Sequence, residues 1–151
     1  MSEPPFDMPR VQRWFAIEFN NQAWDLVERT DRSAEESQRM IHLAHAAMVH
    51  WQAIGQPINR LRGECLLASV YLAAGRFESA ALHSEQALAF SAQGIADETP
   101  FDVASLYACA VRVYERQGNS DQVTKLRPMA DAAIEKLTEA DDRALVQKLY
   151  G

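Results

Sequence analysis

Residues 65–74 read CLLASVYLAA, a run in which only Ser69 and Tyr71 carry a side-chain oxygen. So apolar a stretch, with no period-two alternation, reads as a helix covered by neighbours on more than one side. Pro57 suits the first turn of that helix, and Gly75-Arg76 closes it. A second helix, from Phe77 to about residue 92, carries Ala80, Ala81, Leu82, Ala87, Leu88 and Phe90. Residues 57–90 are therefore expected to form a helical hairpin around which the chain is stacked.

Working outward, Ser33 and Glu36 have capping-box spacing and open a helix to about residue 54, with the stripe Met40, Ala44, Ala47, Met48, Trp51 and Ile54. Gly55 ends it. Further upstream, 9–29 is helical in pattern, and Asn20-Asn21 is expected to bend or break it because asparagine side chains compete for backbone hydrogen bonds. Residues 1–8 are Pro-rich and acidic and read as a loose tail. Downstream, 94–98 is the longest loop of the body, and Thr99-Pro100 starts a helix that ends at Gly118-Asn119. Asn119 or Ser120 caps the next, to about 137, which Pro128 should kink or leave with an exposed carbonyl. Thr138 and Asp141 are expected to cap a short terminal helix. The prediction is an all-α chain of six or seven helices, with 9–151 a single domain.

Composition narrows the function classes. The 151 residues suffice to bury about 70% of the unfolded surface. The net charge of −6 repels phosphate backbones, and no dense Lys/Arg run offsets it, so nucleic acid is not an expected partner. No window approaches a membrane span, and the first ten residues, MSEPPFDMPR, do not read as a signal peptide, which points to the cytoplasm. Cys65 and Cys109 lie in apolar helical stretches without metal or redox spacing and read as reduced, buried thiols.

The hinges repeat. AAGRF at 73–77 and RQGNS at 116–120 place glycines 43 residues apart, each preceded four residues earlier by a tyrosine, Tyr71 and Tyr114. Self-similarity at this period marks an α-solenoid. Leu67, Ala68, Tyr71, Gly75, Phe77, Ala80 and Ala87 fall at the spacing of a tetratricopeptide-repeat (TPR) helix pair, and the segment resembles that superfamily. In the second unit Ala110, Tyr114, Gly118 and Ala130 fit, while Ser120 and Val123 stand where an aromatic and an alanine are usual. The segment His50-Trp51, Gly55, Pro57, Asn59, Arg62-Gly63-Glu64 is also similar to one in small bacterial TPR-like proteins. The resemblance implies a right-handed stack of antiparallel helix hairpins, here with helices longer than usual, and a groove that holds a peptide or a partner's helix.

Transferred onto this chain, the groove register of the family picks out Arg62, Cys65, Ser69, Leu72 and Ala73, then Ser105, Ala108, Arg112, Glu115 and Arg116. Arg62, Arg112 and Arg116 can receive a carboxylate or an acidic peptide; the competing reading pairs them with Glu64, Glu78 or Glu115 on the surface. The family's peptide-carboxylate clamp needs Lys and Asn where Cys65, Leu66 and Ser69 stand, so that mode is disfavoured.

Two further clusters compete with the groove. His42, His45 and His50 share one helix, and His42 and His45 can face one another as nitrogen ligands, with a third ligand from Glu35, Glu64 or His83. Polar residues meeting polar neighbours explain them better, and no metal or cofactor is expected. Asn59, Arg62 and Glu64 beside Trp51 read as a polar network fixing a helix angle, or alternatively, with His45 and His50, as a small-ligand pocket. Trp14, Phe15, Phe19 and Trp24 read as core, or as a face for a second copy or a partner. No nucleophile stands with an activating base at recognisable spacing, so the expectation is a non-enzymatic interaction module.

Overall fold

The computed structural model describes residues 3–151; Met1 and Ser2, part of the expected tail, lie outside the described residues. Seven helices and no strand occur among the described residues: α1 Met8–Val27, α2 Ala34–Ile54, α3 Pro57–Ala73, α4 Phe77–Ser91, α5 Pro100–Gln117, α6 Ser120–Glu135 and α7 Ala140–Tyr150. The start signals act as their chemistry dictates. Ser33 and Glu36 form the reciprocal capping box of α2, Thr99 and Asp102 that of α5, and Asn119 caps α6.

Two expectations fail. Asn20 and Asn21 do not interrupt α1; the Asn20 amide donates to Asn21 Oδ1 at 3.4 Å, and the backbone runs on beneath them. Packing of α1 against α2 outweighs the local competition. At the other end, α7 starts after Glu139, whose side chain makes no cap, so neither Thr138 nor Asp141 fills that role. Arg143 instead holds the preceding turn, donating to the Leu137 carbonyl at 2.8 Å.

Connections of two or three residues join α2 to α3, α3 to α4 and α5 to α6, which makes these neighbours antiparallel. Each helix packs on the next, from α1 through α6, and each odd-numbered helix also touches the following odd one: α1 on α3, α3 on α5, α5 on α7. The two tyrosine-glycine hinges are equivalent. Gly75 and Gly118 have φ of 72° and 79°, the left-handed region glycine enters without strain. The next residue closes the same ring in each, Arg76 N–H to Tyr71 O and Asn119 N–H to Tyr114 O, both at 2.9 Å. Both tyrosine hydroxyls also reach back to the preceding even helix, Tyr71 to His45 at 2.9 Å and Tyr114 to Glu85 at 3.4 Å.

The central helix is covered as its sequence demands: Leu66, Leu67, Ala68, Ser69 and Val70 are all buried. Gly63 permits the close approach of α2, since a methyl group there would meet the Met48 Cε atom at 2.6 Å. On α1, Phe15 stacks on Phe19 and on His50, at 5.2 and 5.5 Å between ring centres, while Trp14 stays 58% exposed.

Candidate functional site

The odd helices share one face, and α7 lies across it. Val146 and Tyr150 are buried there. The Tyr150 hydroxyl meets Ser69 Oγ at 2.8 Å, and Ser69 in turn donates to the Cys65 carbonyl at 2.8 Å and lies 3.6 Å from Cys109 Sγ. Burial first, and the neighbouring Cys109 second, push the Tyr150 hydroxyl well above its usual value, so it remains a proton donor. Burial likewise raises the Cys109 thiol to about 11, so it is a packed thiol and no nucleophile. Lys148 completes the crossing with an ion pair to Glu28, the residue that follows α1, at 2.5 Å.

Two clefts flank this crossing. The first, about 310 Å³, lies where the C-terminal halves of α3 and α5 meet the end of α1. Arg29, Arg32, Arg112, Arg116 and Lys148 line it, and Glu28 is its one acidic wall residue. Arg32 Nη1 donates to the Leu26 and Val27 carbonyls at 2.7 and 3.1 Å, and its Nη2 to that of Ala73 at 3.1 Å, tying α1 to α3. Its buried Nε–H has no partner among the described residues. Arg112 is only 3.4 Å from Glu115, a carboxylate also engaged by Arg127, and Arg116 lies over the Phe77 ring at 4.9 Å. The second cleft, about 330 Å³, is apolar and lies between the N-terminal halves of α3 and α5, the C-terminal half of α1 and α7.

Of the ten residues picked out by the family register, Arg62, Cys65 and Ser105 line the second cleft and Ser69, Leu72, Ala73, Arg112 and Arg116 the first, while Ala108 and Glu115 line neither. Three of the lining side chains already hold polar partners: Arg112 donates to Glu115 at 3.4 Å, as the competing reading expected. Ser69 holds Tyr150, and Arg62 forms a two-point pair with Asp102, Nε to Oδ1 at 2.8 Å and Nη2 to Oδ2 at 2.9 Å. Burial alone would raise the Asp102 carboxyl. The hydrogen bonds from Arg62 and from the Thr99 N–H and hydroxyl outweigh it and hold that carboxyl below its ordinary value. None of Glu64, Glu78 and Glu115 is the partner of Arg62; its carboxylate comes from forty residues downstream.

On the opposite side of α3, facing α2 and α4, a separate polar cluster forms. His83 Nδ1 meets Glu64 Oε2 at 2.8 Å, Tyr71 stacks on His83 at 5.5 Å, and the His45 ring lies edge-on to both. Burial, then His83 and His42, push His45 below its ordinary value, with Glu64 pulling the other way. The expected ligand-pocket residues are therefore not assembled as one site. Residues two apart on a helix do not share a face, so Glu64 joins His45 while Arg62 points to α5. His50 binds Gln12 of α1. Trp51 and Asn59 flank the Gly55 turn, where Asn59 Oδ1 accepts from the Gln56 N–H at 2.9 Å. His42 meets Gln38, at 3.3 Å. No group of three or more His, Cys, Asp or Glu among the described residues is placed to hold a metal ion.

The sequence did not reveal Asp102, Arg32, Lys148 or Tyr150 as parts of this face. Only Asp102 carried a signal, its capping-box spacing from Thr99. No helix among the described residues is long and apolar enough to cross a membrane. No family model matches the chain, and no curated protein and no solved structure does either.

Proposed function

We propose that this chain is a TPR-like, non-enzymatic interaction module whose odd helices form a concave face that receives an acidic peptide or protein segment. The alternation of neighbours, odd on odd and each helix on the next, together with the matched Gly75 and Gly118 hinges, supports a right-handed stack of hairpins. The observation that carries the binding reading is the first cleft. In a chain of net charge −6, five cationic side chains line it: Arg29 pairs with Asp31 and Glu36, Lys148 with Glu28 and Arg112 with Glu115, while Arg32 and Arg116 have no carboxylate partner among the described residues. Arg116 lies over the Phe77 ring and Arg112 holds Glu115 through one nitrogen at 3.4 Å, so both keep N–H groups for an incoming carboxylate. Arg62, held by Asp102, contributes shape and not a free charge.

Fluorescence anisotropy with labelled Glu/Asp-rich peptides tests the reading. Binding should weaken with added salt and fall by about tenfold or more in Arg112→Ala and Arg116→Ala. Absence of binding, or binding indifferent to both substitutions, contradicts it.

A further inference from the structure

We infer that the second cleft is a binding site for an uncharged, apolar small molecule of one or two rings carrying a hydrogen-bond acceptor, with α7 as its lid. The inference goes beyond the acidic-segment reading and does not depend on it. Trp24, Leu61, Phe101, Leu145 and Leu149 form the walls, with the half-buried Cys65 thiol between them. These groups come from four helices and converge on about 330 Å³, within the range of roughly 300–1,000 Å³ usual for small-molecule sites.

Charge selects the class of ligand. Each charged side chain lining the cleft has a partner within the chain: Arg62 holds Asp102, and Glu28 holds Lys148. An ionic ligand would have to break one of these pairs, and inside an apolar site it would lose its hydration without compensation. A neutral ligand pays neither cost. One polar group is left over. The Ser105 hydroxyl, on the α5 wall of the cleft, is buried and finds no partner among the described residues. Buried hydroxyls are normally hydrogen-bonded; turned about its Cα–Cβ bond towards the cleft, this one would meet a carbonyl, ether or ring-nitrogen acceptor on the ligand.

The lid follows from how α7 is held. Its anchors are Val146 and Tyr150, packed towards α5 and α3, whereas Leu145 and Leu149 are only half-buried and line the cleft. A ligand would complete the burial of these two leucines and tighten α7.

The probe is 6-propionyl-2-(dimethylamino)naphthalene, a neutral two-ring molecule with a carbonyl acceptor, titrated into the full chain. The expected result is a saturable, one-to-one rise in its fluorescence, with slower amide hydrogen exchange across residues 140–150. The cavity-filling substitutions Cys65→Phe and Ser105→Leu should each weaken binding by about tenfold or more while far-ultraviolet circular dichroism stays unchanged. If a filled variant loses helicity, the readout is amide hydrogen exchange across residues 140–150 of the unsubstituted chain. Slowing of that exchange by the probe supports the site; an unchanged rate overturns it. Non-saturable binding, binding that survives both filling substitutions in folded protein, or faster exchange of α7 on probe addition overturns it as well. A chain that binds the probe but ignores acidic peptides would sink the proposed function and leave this site standing.

Discussion

The two sides of α3 treat polar groups differently. Towards α2 and α4, Glu64, Tyr71, His45 and His83 satisfy one another in a cluster built from three helices. Towards α1, α5 and α7, Arg112 and Arg116 are left with long or aromatic contacts and Arg32 keeps an unused N–H. The first arrangement fixes helix positions, because every member already has its partner. The second has charge to spare. That contrast separates the part of the polar chemistry that holds the stack from the part that can meet another molecule.

Several substitutions would break or sharpen the contrast, and the largest effect belongs to the closed cluster. His83→Ala strips the buried Glu64 carboxylate of its partner and should cost on the order of 3 kcal/mol of stability by urea denaturation, with acidic-peptide affinity in the remaining folded protein unchanged. Tyr150→Phe removes the buried hydroxyl contact to Ser69 and should cost about 1–2 kcal/mol. In that variant hydrogen exchange should speed up in α7 before any other helix, because its anchor is the bond removed.

Acid acts next, and on one side only. Its neighbours and burial place His45 lower in the folded chain than in the unfolded one, whose value is near 6.5. The unfolded state therefore binds more protons, so the His45 contribution is present above about pH 6.5 and is lost as pH falls through the depressed folded value. A His45→Gln protein should show a flatter melting-temperature profile between pH 7 and pH 5. Peptide binding through arginines should show no matching step, since guanidinium does not titrate there. The smallest stability effect is Arg116→Ala, expected to move the unfolding free energy by no more than about 0.5 kcal/mol while weakening peptide binding. A large loss of stability there would place Arg116 among the structural residues.

How much of this was legible depends on how far apart in sequence the interacting groups lie. Helix ends set by local chemistry, such as Ser33 with Glu36, Thr99 ahead of Pro100 and the glycines after Tyr71 and Tyr114, could be read directly. Asn20-Asn21 misled because a local preference worth a fraction of a kcal/mol yields to the packing of a twenty-residue helix. The spread of Arg62 and Glu64 to opposite sides follows from helical geometry, but their partners do not, since Asp102 and His83 lie on different helices. The crossing of α7 left no local trace. It rests on Tyr150 meeting Ser69 and on Lys148 meeting Glu28, contacts 81 and 120 residues apart.

The division between the two sides of α3 can be read in one titration. Amide chemical shifts, followed while an acidic peptide is added to the full chain, should move around Arg32, Ser69 to Gly75, Arg112 to Arg116 and the end of α7, with His42, His45 and His83 still. Shifts concentrated at those three histidines, or none anywhere, would contradict a binding face built from the odd helices.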